Sequence, residues 1–173
     1  MKAAIISYSQ TGRNKRLAQM VADELGIENI EVVEKKQREM MTITWDLVLR
    51  RVPKVEPAPA VTDEYDAVIF FAPVWMGMAA TPLNAYLKYI KKTGKKYAFM
   101  SLSGGHNEDN PLLLGDVSKK AGKAPAAFLD LHVADLMENR ARTRQQAEAY
   151  NMTDAEYEML CKRYVAVIGE MLK

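Results

Sequence analysis

Ser9-Gln10-Thr11-Gly12-Arg13-Asn14 sets the terms on which the remaining residues are read. It follows the apolar run Ala3-Ala4-Ile5-Ile6-Ser7-Tyr8, long enough for a buried strand and too short for most helices. Leu17, Met20, Val21 and Leu25 come next, spaced to line one face of a helix, and Gly26 closes that helix as a C-cap. A hydroxyl-rich turn with one glycine thus joins the end of a strand to the start of a helix. First-turn N–H groups of a helix have no intrahelical acceptor, and the macrodipole places partial positive charge there. Ser9, Thr11 and Asn14 add donors, Gly12 permits close backbone approach, and Arg13, Lys15 and Arg16 add charge. Together these make a seat for a phosphate. The same residues also suit a plain helix cap by Thr11 or Asn14, so the turn alone leaves both readings open. The nucleoside triphosphate loop G-x-x-x-x-G-K-[ST] and the dinucleotide loop G-x-G-x-x-G are both absent.

A chain of 173 residues is the size of one domain, expected here to span residues 1–173 with an irregular excursion at about 34–62. Hydrophobic residues make up 49%, which excludes a disordered chain. A net charge of +2, without a basic stripe interleaved with aromatics, argues against nucleic acid as a partner. The single cysteine, Cys161, sits among helical apolar positions and reads as core; no metal-ligand spacing surrounds it. No apolar run approaches transmembrane length, so the expectation is a soluble, cytoplasmic protein without a membrane partner.

Ile30-Glu31-Val32-Val33 reads as a second strand at or near a sheet edge. Thr42 to Arg51 carries Trp45, Leu47, Val48 and Leu49 on a short helix, after which Pro53, Pro57 and Pro59 enforce extended chain. This tract either caps a site, forms an interaction surface such as a homodimer contact, or covers the sheet. Ala67 to Ala72 is apolar throughout, as a central parallel strand should be. Thr81-Pro82 then supplies an N-cap and first-position proline for a helix with Leu83, Tyr86, Leu87 and Ile90 inward, ended by Gly94. Tyr97 to Leu102 is the fourth strand. Asn110-Pro111 opens a helix with Leu113, Leu114, Val117 and Ala121 inward, and Ala126 to Leu131 is the fifth strand. Thr153-Asp154-Ala155-Glu156 is a capping box for a last helix burying Tyr157, Leu160, Cys161, Tyr164, Ile168 and Met171. Between them, His132 to Met152 is charged and reads as partly helical, and Arg140, Arg142 and Arg144 read as a solvated face or as groups near an anionic ligand.

Alternating strands and helices predict an α/β three-layer sandwich: a five-stranded parallel sheet, order 2-1-3-4-5, with helices on both faces. Ligands in such sheets bind outside the carboxyl ends of the strands, at the switch in strand order. Three loops emerge there. The first is the phosphate seat. The second, Pro73 to Ala80, offers Trp75 and Met76, a flat aromatic and a polarizable thioether, with Gly77 letting the backbone approach. The third, Ser103 to Asp109, has Gly104 and Gly105 among donor side chains. A phosphate seat beside two loops suited to a planar heteroaromatic describes a mononucleotide site, with flavin mononucleotide (FMN) as the candidate.

On Y-S-Q-T-G-R-N at Tyr8 to Asn14, Y-D-A-V-I-F-F-A-P-V-W-M-G at Tyr65 to Gly77, and S-L-S-G-G at Ser101 to Gly105, the chain resembles the flavodoxin-like family. The resemblance implies that Ser9, Thr11, Gly12, Arg13 and Asn14 hold the flavin phosphate. Pro73, Val74, Trp75, Met76 and Gly77 would then take one side of the ring, and Ser103, Gly104 and Gly105 another. The tyrosine that many members stack on the outer ring face has no counterpart in Ser103 to Asp109, and the chain lacks the acidity of small electron-shuttling members. These departures resemble the quinone- or NAD(P)H-oxidoreductase branch. His106, after the glycine pair, is a candidate to reach a flavin carbonyl or donate a proton, or is a plain loop histidine; His132 has the weaker claim. No catalytic base is named. The expectation is an FMN-dependent oxidoreductase passing electrons from NAD(P)H or a protein donor to a quinone or other acceptor. A flavodoxin-type electron carrier and a flavin-free binding or regulatory protein are the alternatives.

Overall fold

The computed structural model describes residues 1–34, 54–104, 110–137 and 144–173. Its strands are β1 (Ala3–Ser7), β2 (Glu28–Glu31), β3 (Ala67–Phe71), β4 (Lys96–Ser103) and β5 (Ala127–His132). They form one parallel sheet in the order β2-β1-β3-β4-β5, the arrangement expected from the alternation of elements. β1 and β3 are buried at every position, which is why both read as unbroken apolar runs. Half-polar β2 lies at the edge.

Alternation along the strands divides the core in two. Ala3, Ile5, Ile69, Phe71, Ala98, Met100 and Leu102 face α1 (Arg13–Leu25) and the C-terminal helix Asp154–Leu172. Ile6, Val68, Phe70, Tyr97 and Phe99 face α2 (Asn84–Thr93) and α3 (Pro111–Ala121). A short helix, α4 (Arg144–Ala149), precedes the C-terminal one, hereafter α5. Caps stop and start these helices where the residues demand it. Gly26 and Gly94 close α1 and α2 in the left-handed region, at φ 63° and 69°. The Asn110 side chain accepts the Leu113 N–H at 3.1 Å, and Thr153 and Glu156 complete the capping box of α5. All six apolar positions expected inward on α5 are buried.

Four local expectations change. β2 starts earlier, directly after the α1 cap, and ends at Glu31; Val32 N–H still donates to Ser7 O at 2.7 Å. Val33–Glu34 then leaves the sheet to pair antiparallel with Val55–Glu56. The proline-rich tract is not wholly irregular either, since Pro59–Glu64 forms a 3₁₀ turn. Thr81-Pro82 begins a 3₁₀ turn rather than α2 itself: Leu83 N–H bonds back to Ala80 O at 3.0 Å, so α-helical bonding starts at Asn84. Leu114 is exposed, because Leu113, Val117 and Ala121 at fourth-residue spacing set the buried stripe of α3 and turn Leu114 off it. The helix expected at Thr42 to Arg51, with Trp45, and the face expected of Arg140 and Arg142 lie outside the described residues. Among the described residues no helix is long and apolar enough to cross a membrane.

Phe71, fully buried on β3, packs edge-on against the Tyr164 ring of α5, centroids 5.0 Å apart. Phe71→Ala removes that contact and leaves a cavity between sheet and helix. The expected loss is about 3–5 kcal/mol of unfolding free energy, read from a urea transition.

Candidate functional site

β1, β3 and β4 are parallel neighbours and end on the same edge of the sheet, at the switch in strand order. In the first loop Ser9 Oγ accepts the Gly12 N–H at 3.0 Å, curling the turn back on itself. Gly12, not Thr11 or Asn14, stands at the cap position of α1, with φ 88° and no side-chain cap bond. That φ lies where a Cβ is disfavoured, and the space a Cβ would occupy there is open to 4 Å. The first turn of α1 holds no acid. Its Arg13, Asn14 and Lys15 N–H groups have no intrahelical acceptor, and Thr11 is exposed above them. A helix start with positive potential and no built-in anion suits an incoming one.

Two side chains expected at the phosphate are committed elsewhere. The Asn14 amide is only 2% exposed: its Nδ2–H donates to Leu102 O at 2.9 Å, and its Oδ1 accepts Leu102 N–H at 3.0 Å. Asn14 thereby stitches the start of α1 to the end of β4. The Arg13 guanidinium donates to the carbonyls of Ala147 (3.0 Å), Glu148 (2.9 Å) and Tyr150.

The second loop is a hairpin, Val74–Trp75 pairing antiparallel with Met78–Ala79. Met76 and Gly77 take positive φ, 51° and 78°, the pair of left-handed residues that a two-residue turn of primed type requires. The hairpin is braced from two sides. Trp75 meets the Tyr8 ring edge-on at 5.8 Å, and the Tyr8 hydroxyl donates to Glu34 Oε1 at 3.0 Å. From α3, Asp116 Oδ2 accepts the Ala79 N–H at 3.2 Å, and a Cβ on Gly77 would touch Leu112 Cδ1 at 3.5 Å. Pro73, Val74 and Trp75 are half-buried, while Met76 is 74% exposed at the tip.

In the third loop Ser103 and Gly104 are described; Gly105 and His106 lie outside the described residues. Gly104 faces α4: a Cβ there would lie 3.5 Å from Ala147 Cβ. Ser103 is the register partner of His132 on β5. Below them Ser101 Oγ–H donates to Asp130 Oδ1 at 2.5 Å, Asp130 Oδ2 faces His132 Nε2 at 3.4 Å, and Asp135 Oδ2 lies 3.8 Å from Nδ1. The Asp130 carboxylate therefore raises the His132 imidazole above its ordinary range, against desolvation, with Asp135 adding to it. From the other face the buried Tyr164 hydroxyl donates to Ser101 O at 2.6 Å.

The structure thus places Ser9, Thr11, Gly12, Arg13, Asn14, Pro73, Val74, Trp75, Met76, Gly77, Ser103 and Gly104 on segments that follow three adjacent strands at one edge of the sheet, with Trp75 against Tyr8 and Asn14 bonded to Leu102. It adds Tyr8, the α3 brace Leu112 and Asp116 and the α4 carbonyls, and it joins His132, the weaker of the two histidine candidates, to Ser101 and Asp130. One signal was available for the last. Ser101, Ser103, Asp130 and His132 interrupt apolar strands at period two, which puts them on one face of neighbouring strand ends.

Asn14→Ala strands a buried N–H and a buried C=O of Leu102, and is expected to cost roughly 2–4 kcal/mol, measured by urea unfolding. His132→Gln tests the ion pair by pH. Because the folded imidazole titrates above its unfolded value, its stabilisation is complete below the unfolded pKa of about 6.5 and fades as pH rises through the folded value. The wild-type advantage in melting temperature over His132→Gln should be largest at acidic pH and shrink on the alkaline side.

No family model matches the chain. An uncharacterized protein of Archaeoglobus fulgidus is 28% identical over 148 residues, covering 83% of this chain and 94% of that one. Among solved structures, a flavoprotein of Lactobacillus acidophilus in complex with FMN superposes with a TM-score of 0.60 at 20% identity, covering 78% of this chain and 95% of that one. Oxidised Flavodoxin 1 of Bacillus cereus gives 0.55 at 16% identity, covering 98% of both chains. With the strand order 2-1-3-4-5 and three loops gathered at its switch point, the chain has the flavodoxin-like fold.

Proposed function

We propose that the crevice binds FMN and that the protein is a flavin-dependent redox protein, an oxidoreductase passing electrons from NAD(P)H or a protein donor to a quinone or other acceptor. The observation that carries this reading is the acid-free first turn of α1, opened by Gly12 and set beside the Trp75–Met76 hairpin. Similarity to flavoproteins, one of them holding FMN, supports it.

Ser9, Thr11, Gly12 and the backbone N–H groups of Arg13 and Asn14 would meet the phosphate, where charge-assisted hydrogen bonds are the strong ones. Pro73 to Gly77 and Ser103–Gly104 would border the ring, with Gly105 and His106 continuing that wall. The bound flavin supplies electron transfer, and this chain supplies binding, orientation and the polar surroundings of the ring. A carrier role is the second reading. The exposed apolar residues Met76, Leu112 and Leu114 beside the crevice favour it, since such a rim suits contact with a redox partner protein.

Purified protein titrated with FMN should quench flavin fluorescence saturably. Thr11→Ala combined with Trp75→Ala should raise the Kd by at least about tenfold while far-UV circular dichroism stays unchanged. Undiminished FMN binding by the double variant refutes the site. Anaerobic mixing then separates the roles: direct reduction of bound flavin by NAD(P)H with turnover on a quinone supports the oxidoreductase, and reduction only through a partner reductase supports the carrier.

A further inference from the structure

α1 begins with a cation at its positive end. Arg13 is the first residue of the helix, where a guanidinium opposes the macrodipole and a phosphate would relieve it. The structure relieves it otherwise. The guanidinium reaches into the C-terminal carbonyls of α4 and donates to Ala147, Glu148 and Tyr150 together. Those carbonyls carry the negative end of α4, so the cation sits between two helix ends of opposite sign. Both Nη2 hydrogens and one on Nη1 are spent on these carbonyls, so the fork of the guanidinium is turned to α4.

What the guanidinium holds is not a passive surface turn. Ala147 is fully buried, and a Cβ on Gly104, directly after β4, would lie 3.5 Å from its own. Beyond Tyr150 the chain is tied to α5: the Tyr150 hydroxyl donates to Glu156 Oε1 at 2.6 Å, and Glu156 also closes the capping box with Thr153. One turn along α1, Arg16 pairs with Asp154 at 2.6 Å and lies over the Tyr157 ring at 4.0 Å. Residues 144–154 therefore form a strap running from Gly104 to α5, fastened at its middle by Arg13.

We propose that Arg13 is a positioning residue. It fixes the strap, and through Ala147 the Ser103–Gly104 wall, instead of contacting the ligand's phosphate. This deepens the FMN reading and rests on it for the ligand, whereas the fastening itself does not. It assigns a phosphate-loop residue to the shape of the opposite wall of the crevice.

Hydrogen exchange on flavin-free protein and flavin titrations decide it, with Arg13→Gln, Arg13→Lys and wild type compared. In Arg13→Gln, amides of residues 146–152 should exchange at least about tenfold faster, since charged hydrogen bonds to three carbonyls are lost. FMN and riboflavin, which differ in the phosphate, should weaken by the same factor, and the visible circular dichroism of the bound flavin should change as its wall loosens. Arg13→Lys, a single-point donor, should fall between the two on every readout. Unchanged exchange in the strap overturns the proposal. So does selective loss of FMN with riboflavin affinity and the flavin's circular dichroism retained, because that pattern marks a direct phosphate contact. If wild type binds neither flavin, the cofactor reading fails, and the exchange arm still decides whether Arg13 fastens the strap.

Discussion

The Asn14 amide is the joint on which the crevice depends. One buried side chain satisfies both the N–H and the C=O of Leu102, so the first turn of α1 and the last residues of β4 occupy a single relative position. Two hydrogen bonds through a planar amide fix orientation as well as distance. Neither Leu102 group has water to fall back on, because Asn14 and Leu102 are both buried. The first turn of α1 and the end of β4 are thereby held as one unit.

The hairpin completes the enclosure by a different means. Its tip requires positive φ at two successive residues, which Gly77 adopts freely and Met76 adopts at some cost. Such a turn persists where its surroundings hold it, and here the holding is visible: the Tyr8 ring beneath Trp75, and Asp116 of α3 on the Ala79 N–H. Asp116 also pairs with Lys120 at 2.6 Å in a largely buried position, so the carboxylate that steadies the hairpin is itself compensated. The hairpin is thus braced on both flanks.

Electrostatically the crevice is a compromise between attraction and order. Arg13, Lys15 and Arg16 crowd the positive end of α1, yet each is occupied: by α4 carbonyls, by Glu31 at 2.6 Å, and by Asp154. With Lys15 and Arg16 neutralised by carboxylates, the field that favours an anion comes from the first-turn N–H groups and from Arg13. The strands beneath carry a second charged group, Asp130 with His132, at the rim beside Ser103.

Much of this was legible in the residues. Apolar runs such as Ala67 to Phe71 and the fourth-residue spacing on α5 determine strands and helices because burial imposes a period on the chain, and a strand-helix alternation leaves few topologies. Turn chemistry likewise marked Ser9 to Asn14, Trp75 to Gly77 and Ser103-Gly104 as candidate ligand loops after the strand ends. Side-chain commitments were not legible. That Arg13 donates to the carbonyls of Ala147, Glu148 and Tyr150, 134 or more positions away, follows from packing between distant segments, for which local sequence holds no period. The same holds for Asn14, whose composition fits a helix cap as well as a bridge to Leu102. Residue types named the loops; only their meeting in space decided which atoms face the crevice and which hold it together.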